Sequence, residues 1–227
     1  GTAFVTYFRD GSRKFIFHFT HSAAGVLSPD DVNADYIKSA QYLHIMGCSL
    51  SASESMRQAI LKAVHTAKAH GVKISFDPNI RPELLDAEEI KKVFESVLGT
   101  ADILLTGEGE ALMLTGCGSL EEAVTSFKDR GITMIVIKSG SKGARVFTGS
   151  DSLHIAPFKV EEVDPTGAGD CFDGAFIASL ADGTDVKEAV LIANAAGALG
   201  VTKKGPMEGA AFKSDILEFI KRSGQNL

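Results

Sequence analysis

The chain has 227 residues, of which 44% are hydrophobic and 23% charged, which is enough for one large globular domain and too few for two. Its formal net charge of −6 argues against a nucleic-acid-binding protein, since such proteins need a basic face. The absence of a long apolar run, of a secretory leader and of any CxxC pair among the three cysteines predicts a cytoplasmic protein with no membrane partner.

The N-terminal segment GTAFVTYFRDGSRKFIFHF predicts a β-hairpin. Two extended runs flank Asp10-Gly11, a dipeptide that favours tight hairpin turns. Both faces of this hairpin carry bulky apolar side chains, so it cannot stand alone in water. Residues 1–25 are therefore interpreted as a lid over a site that also serves as a homodimer contact, and the alternative is an extra sheet packed on the domain.

From Leu43 onward, short apolar runs alternate with amphipathic segments, which indicates βαβ units around a mostly parallel sheet. Residues 26–227 are thus predicted to form one α/β domain. The predicted strands are YLHIMG, VKISFD, ADILLT, TMIVIKSG and GARVFTG, the last two joined by a tight Ser-Gly-Ser-Lys-Gly turn. The predicted helices cover residues 53–71, 87–99, 110–116, 119–131, 167–181, 186–199 and 212–222.

The stretch VDPTGAGDCFDGAF joins a glycine-rich turn to the start of a helix. One helical face is apolar and is expected to dock the helix on the sheet; it comprises Phe172, Ala175, Phe176 and Leu180. The first turn of the helix would then offer main-chain N–H groups to an anion, because glycine leaves the approach to the backbone open. The acid that follows, Asp170, would face a group that carries a proton. Without a ligand, the same pattern is a capped helix after a flexible turn.

DPTGAGDCFDGAF resembles the C-terminal signature of the ribokinase-like, or PfkB-type, carbohydrate kinases. This resemblance extends over nearly the whole chain and implies a three-layer α/β/α fold with a mostly parallel central sheet and a small β lid. It also implies ATP-dependent phosphorylation of a small sugar. The family's anion hole and catalytic base fall on Gly167, Ala168, Gly169 and Asp170. Asp164 matches a position associated with a monovalent cation such as K⁺.

Two further stretches match the family in order. FDPNIRPELL resembles the DPNxR segment of the fructokinase, tagatose kinase and 2-keto-3-deoxygluconate kinase branch, which places Asn79 and Arg81 in the same crevice; an arginine there can grip phosphate oxygens. LLTGEGEALMLTG resembles a segment with Asn-x-x-Glu, whose glutamate, matched by Glu110, orders Mg²⁺ through water. Gly107 replaces the asparagine, and the alternative is that Glu108 and Glu110 simply favour a helix start.

The nucleotide-binding positions implied by the resemblance lie towards the C-terminus. VIKSGSKGARV resembles the strand-turn-strand under the ATP phosphates, with Lys138, Gly140 and Gly143 at the matching points; a hairpin turn without a ligand is the alternative. Asn194, in LIANAAGALGVTKKGP, matches a residue that contacts the adenine base. The chain has no Walker P-loop, so the expected nucleotide site is of another kind.

The substrate is predicted from the lid. In 2-keto-3-deoxygluconate kinases the lid usually offers an arginine to the sugar acid, and no arginine lies between Phe15 and Leu27. We therefore expect a neutral ketohexose such as fructose or tagatose, with the sugar acid as the alternative. A catalytically silent regulatory protein is an alternative of another class, and a nucleoside kinase is disfavoured by DPNIR. The resemblance covers the family's last two-thirds, and the family's N-terminal strands, which carry much of the sugar pocket, have no match in this sequence.

Overall fold

The computed structural model describes residues 1–8, 13–19, 21–81 and 88–225. The predicted Asp10-Gly11 turn and residues 82–85 of the DPNIRPELL segment lie outside this part. Within the described ranges, no helix is both long and apolar enough to span a lipid bilayer.

The chain forms two compact units. The first comprises Gly1–Leu104 and Phe127–Ile132, and the second comprises Leu105–Ser126 and Thr133–Leu227. Each unit is described separately below.

The secondary structure follows the predicted alternation of strands and helices. The described strands are β1 (Thr2–Tyr7), β2 (Arg13–His18), β3 (Tyr42–Met46), β4 (Lys73–Asp77), β5 (Ile103–Gly107), β6 (Met134–Lys138), β7 (Ala144–Thr148) and β8 (Asp151–Ile155). The α-helices are α1 (Ala23–Val26), α2 (Ala34–Lys38), α3 (Glu54–Ala69), α4 (Glu88–Leu98), α5 (Glu108–Thr115), α6 (Leu120–Asp129), α7 (Ala168–Ala181), α8 (Val186–Gly200) and α9 (Lys213–Arg222). β1 and β2 form a small sheet, and the other strands form a second sheet in the order β3-β4-β5-β6-β7-β8. The predicted α/β class with a small separate β element is confirmed.

In the first unit, the predicted pairing of the N-terminal strands is confirmed. β1 and β2 are antiparallel, with Thr2 opposite His18 and Tyr7 opposite Arg13. Successive residues of a strand point to opposite faces of the sheet, so the two faces of this hairpin carry different sets of side chains.

One face of the hairpin carries a ladder of aromatic rings. Phe15, Phe17 and Phe19 stack in succession, with ring centroids 5.6 Å and 5.3 Å apart, and all three are half-buried. The opposite face carries Phe4 and Ile16, which lie opposite each other and are 58% and 53% exposed. The hairpin therefore leaves one of its two apolar faces in solvent.

The first unit also contains the parallel part of the large sheet, since β3 pairs with β4 and β4 with β5 in parallel. The side chains of Ile74 and Phe76 on β4 are completely buried, and Phe94 of α4 lies edge-on to Phe76 with ring centroids 6.0 Å apart. β4 ends at Asp77, so the DPNIR segment follows directly at the carboxyl end of this strand.

The second unit contains the antiparallel part of the sheet, in which β6 pairs with β7 and β7 with β8. Ile135 and Ile137 on β6 are completely buried. Among the helices, Phe172 and Phe176 of α7 stack with ring centroids 6.3 Å apart. The core of this unit is formed by buried strand residues, by Phe172 and Phe176 of α7 and by the buried residues of α8, such as Val190 and Ala193.

β8 was not predicted from the sequence. Its residues, DSLHI, include three exposed positions, and only Ile155 is buried. A short strand with one buried residue gives almost no apolar pattern, and its pairing with β7 comes from main-chain hydrogen bonds that the sequence does not display.

The buried face of α7 also differs from the prediction. Phe172 and Phe176 are buried as expected, but Ala175 and Leu180 are only partly so. The other buried positions of the helix are polar, namely Asp173 and Ser179. Ser179 donates a hydrogen bond to the carbonyl of Ala175 at 2.8 Å, and Asp173 forms an ion pair described below, so both polar groups are satisfied inside the fold.

Candidate active site

The turn that leads into α7 requires glycine at position 167. Gly167 has φ +82°, and a Cβ atom at this position would lie 2.2 Å from the main-chain oxygen of Pro206. Gly167 is also the N-cap of α7, and no side chain caps the helix. The main chain of residues 167–169 therefore lies at a helix N-terminus, in the region of partial positive charge that favours an anion.

Asp170 lies in the first turn of α7 and is exposed. Gly169, the residue before it, is exposed too. The Asp170 carboxylate beside the N-terminus of α7 is therefore accessible from solvent.

Asp164 joins this turn to a second loop of the same unit. The side chain is 4% exposed; one carboxylate oxygen accepts the N–H of Thr166 and the other accepts the N–H of Gly205, both at 3.0 Å. Since Pro206 follows Gly205, the hydrogen bonds of Asp164 and the close approach at Gly167 hold the same two loops together.

Lys138 and Asp173 form a buried ion pair beside the turn. The Lys138 ammonium lies 3.0 Å and 2.9 Å from the two carboxylate oxygens of Asp173, and the side chains are 17% and 2% exposed, respectively. The ammonium is also 3.6 Å from the point that a Cβ atom of Gly169 would occupy. Lys138 was predicted from its match to the family, whereas Asp173 was not predicted; its only sign in the sequence is its spacing of three residues from Asp170.

Glu110 caps the helix in which it lies. One of its carboxylate oxygens, Oε2, accepts the N–H of Gly107 at 3.0 Å and the hydroxyl of Thr106 at 3.2 Å. This is the helix-start role named as the alternative above. Thr106 is completely buried and was not predicted as part of the site.

Water-mediated cation binding at Glu110 is compatible with this geometry. Mg²⁺ keeps most of its waters in proteins, and a carboxylate that accepts from main-chain and hydroxyl groups can also accept from such a water shell. Within the described ranges, no group of three or more His, Cys, Asp or Glu side chains is arranged to hold a metal ion directly. The residues thus fit water-mediated binding of Mg²⁺ and do not form an all-protein metal cage.

The predicted turn after β6 forms as a short 3-10 helix over Gly140–Lys142. Gly143 has φ +85°, and a Cβ atom there would lie 2.1 Å from the carbonyl oxygen of Ile155. Asn194 donates its side-chain N–H groups to the carbonyls of Ile155 and Ala156, at 3.3 Å and 3.2 Å. The structure therefore brings Asn194 and Gly143 to the same stretch of main chain.

Asn79 and Arg81 belong to the first unit. Asn79 has φ +40°, which is unusual for a residue other than glycine, and its N–H donates to Asp77 at 2.9 Å. The Arg81 guanidinium lies over the ring of Phe15, 5.0 Å from its centroid. A cation in contact with a ring face is stabilised by the ring's electron density. The contact brings the positive charge of Arg81 to the face of the hairpin that carries Phe15.

Cys171, next to Asp170, offers a probe of the local charge. Burial raises the pKa of the Cys171 thiol above its usual value of 9.0, and the negative charge of Asp170 raises it further. The thiol therefore remains protonated at neutral pH, and we expect its alkylation by iodoacetamide to be slow at pH 7 and still to be rising with pH at pH 9, because the reactive thiolate fraction grows until the pH exceeds the pKa. Replacing Asp170 with asparagine removes one cause of the shift, so alkylation should become faster.

Mass spectrometry of each cysteine across pH 7–10 measures these rates. Cys117 in the same sample serves as the internal reference. Identical Cys171 rates in the wild type and Asp170→Asn would show that the carboxylate does not act on this thiol.

Comparison with known proteins places this geometry in a family. Residues 1–211 match the model of the pfkB family carbohydrate kinases. A curated relative, probable fructokinase-4 of Arabidopsis thaliana, is 36% identical over 228 residues, covering 96% of this chain and 70% of the relative.

Solved structures agree with the sequence comparison. A putative ribokinase II from E. coli in complex with ATP and Mg²⁺ is 44% identical and superposes with a TM-score of 0.90, covering 97% of this chain and 70% of that one. A double mutant of fructokinase from Vibrio cholerae O395, bound to fructose, ADP and a potassium ion, is 29% identical with a TM-score of 0.85, covering 96% of this chain and 72% of that one.

The expectation drawn from the glycine-rich turn and its aspartate is confirmed at the level of the family. The fold is ribokinase-like. Most of the residues predicted from the resemblance lie in the second unit, in the turn before α7, the Lys138–Asp173 ion pair, the capped helix α5 and the loop after β6, whereas Asn79 and Arg81 lie in the first unit. The chain belongs to the pfkB family of carbohydrate kinases.

Proposed function

We propose that this chain carries the catalytic part of a kinase that transfers the γ-phosphoryl group of ATP to a hydroxyl of a neutral ketohexose, with fructose as the first candidate. The observation that carries the proposal is the turn of residues 167–169 at the N-terminus of α7, with the exposed Asp170 beside it. The fructokinase names of its relatives and the ATP and Mg²⁺ in the E. coli neighbour support the choice of substrates.

In the proposed reaction, the sugar hydroxyl oxygen forms a bond to the γ-phosphorus while the bond from that phosphorus to the bridging oxygen of ADP breaks. The hydroxyl proton passes to Asp170, and ADP leaves with the electron pair. The main-chain N–H groups of Gly167, Ala168 and Gly169 donate to the moving phosphoryl oxygens, where charge is spread in a loose transition state. A weak base suffices because the proton leaves late.

The remaining predicted residues have supporting roles in this proposal. We assign the phosphates of ATP to Lys138, Gly140 and Gly143 of the second unit. The resemblance also assigns Asn79 and Arg81 to nucleotide binding, with the Arg81 guanidinium binding the γ-phosphate. Nδ2 of Asn194 donates to the carbonyls of Ile155 and Ala156. We therefore assign Oδ1 of Asn194 to the adenine amino group.

Two cations complete the proposed site. Glu110 would hold Mg²⁺ through water and Asp164 would lie near a monovalent cation such as K⁺. When bound, such cations neutralise phosphate charge. The role of the chain is to keep Glu110 oriented through its hydrogen bonds to Gly107 and Thr106.

A sugar acid such as 2-keto-3-deoxygluconate is a second candidate substrate, and one observation favours it. A neutral sugar was preferred over a sugar acid because no arginine lies between Phe15 and Leu27. Arg81 nevertheless lies over Phe15 of the lid, so a guanidinium able to bind a carboxylate is present at this surface.

An ADP-release assay on the full-length protein that contains this chain separates the candidates. Fructose, tagatose, 2-keto-3-deoxygluconate and adenosine are compared at equal concentration with Mg²⁺-ATP. We expect the highest kcat/KM for fructose. A preference for the sugar acid supports the second candidate, and release of ADP only with adenosine contradicts both.

We further propose that the protein works in the cytoplasm as a homodimer through the lid. The three cysteines are free thiols, which suits a reducing compartment. The solvent-exposed face of the hairpin, with Phe4 and Ile16, offers apolar area that a second copy would cover. A monomer in sedimentation equilibrium of the full-length protein would contradict the dimer.

A further inference from the structure

We infer that Asp173 is a positioning residue for phosphoryl transfer, because it holds the Lys138 ammonium against the first turn of α7. The inference rests on the proposed function of that turn and adds a residue to it. Asp173 is not adjacent to the proposed anion-binding residues in sequence and acts through Lys138.

The geometry of the pair fixes the ammonium closely. Both oxygens of Asp173 accept from Lys138 Nζ, at 3.0 Å and 2.9 Å, and Asp173 itself is held rigidly because it is 2% exposed on α7. Lysine has a long flexible side chain that loses much rotamer freedom when it is held in place. A carboxylate that accepts from the ammonium with both oxygens restricts that freedom before any ligand binds.

The location of the ammonium matters as much as its rigidity. It lies 3.6 Å from the point where a Cβ atom of Gly169 would be, and Gly169 has no side chain to separate it from the exposed side of the turn. Lys138 is also the last residue of β6, so its main chain leads directly into the Gly140–Lys142 turn. One residue thus links both segments to which we assign ATP phosphates.

Stability alone does not account for this arrangement. Taking two charges out of water is costly, and a buried ion pair is often no more stable than a well-packed apolar pair of similar size. Asp173 also places a negative charge one helical turn after Asp170, in a region that must accept a polyanion. That charge is unfavourable for phosphate binding unless Lys138 neutralises it, so the pair is best explained by the need for a fixed cation at the turn.

The test compares Lys138→Met/Asp173→Leu, which replaces the ion pair with apolar side chains, with the wild type. We expect the double variant to remain folded, with a melting temperature close to that of the wild type, and to bind a non-hydrolysable ATP analogue about tenfold more weakly, the effect of losing one charge-assisted contact. Its affinity for adenosine, which lacks phosphates, should be unchanged. Its kcat should fall by at least about tenfold, while the KM for the sugar stays within about twofold.

Asp173→Asn is a milder substitution, because it keeps one hydrogen-bond acceptor for Lys138 and removes the negative charge. We expect a loss of a few-fold in kcat, smaller than in the double variant.

Arg57→Met is the matched control: Arg57 is an 11% exposed cation paired with Glu54 in the first unit, and its loss should lower the melting temperature without changing kcat. If the apolar double variant folds poorly, Lys138→Gln/Asp173→Asn is measured in its place.

The two binding constants separate the inference from the proposed function. If the wild type binds the ATP analogue but phosphorylates no sugar, the proposed function fails, and the ratio of analogue to adenosine affinity still decides the role of the pair. A folded double variant with wild-type analogue affinity and wild-type kcat would overturn the inference and make the pair purely structural.

Discussion

Replacing Asp170 with asparagine is expected to reduce kcat by about 10²–10⁴-fold, the usual contribution of a general base, while nucleotide affinity stays near that of the wild type. The amide has nearly the same shape and cannot accept the hydroxyl proton. The side chain is exposed in the first turn of α7, so its replacement should not disturb the core. Steady-state kinetics with the preferred sugar and calorimetric titration with ADP measure the two effects separately.

Asp182→Asn is the matched control for this substitution. Asp182 is the C-cap at the other end of the same helix and forms an exposed ion pair with Lys213 at 2.6 Å. Such surface pairs contribute about 0–1 kcal/mol, so both kcat and stability should be nearly unchanged. Near-normal turnover by Asp170→Asn would remove Asp170 from the mechanism.

Replacing Gly167 with alanine is expected to lower both stability and activity. The new Cβ atom would lie 2.2 Å from the carbonyl oxygen of Pro206 at a φ of +82°, so either the turn or the facing loop must move. We expect the free energy of unfolding to fall by about 3 kcal/mol, the sum of backbone strain and a main-chain clash. The kcat/KM should fall by at least about tenfold because the displaced N–H groups no longer face the phosphoryl oxygens.

Gly183→Ala provides the control for backbone strain alone. Gly183 has φ +81°, and nothing lies within 4 Å of the position of its Cβ, so only the strain of about 1–2 kcal/mol should appear, with no loss of activity. Urea unfolding and initial rates are measured for both variants. Equal stability losses in the two variants would show that the contact with Pro206 is not rigid.

The sequence was sufficient for those parts of the fold that apolar periodicity determines. The alternation from Leu43 onward indicated the strands and helices, and the turn before α7 was located because glycine, aspartate and a helical run coincide there. β8 was missed, since one buried residue in a polar strand gives no period to detect. What could not be predicted is strand pairing through main-chain hydrogen bonds, because a pattern of apolar side chains does not show it.

The candidate site shows the same limit for individual side chains. Lys138 was identified by resemblance, but its partner Asp173 lies 35 residues away in sequence and was hidden on a helical face expected to be apolar. The contact of Arg81 with Phe15 was equally invisible, and it weakens the argument from the lid's composition for a neutral sugar. Glu110 has the helix-start role that its sequence position predicted as the alternative, and its role towards Mg²⁺ stays a prediction.

The approach between Gly167 and Pro206 has a consequence for how this protein can vary. The partner of Gly167 is a peptide carbonyl, an atom that every amino acid supplies. Substitutions of residue 206 should therefore keep the contact, provided that its backbone path is preserved, whereas any side chain at residue 167 should clash with that carbonyl. We therefore expect position 206 to tolerate many substitutions and position 167 to tolerate few. A saturation mutagenesis library covering both positions measures this difference.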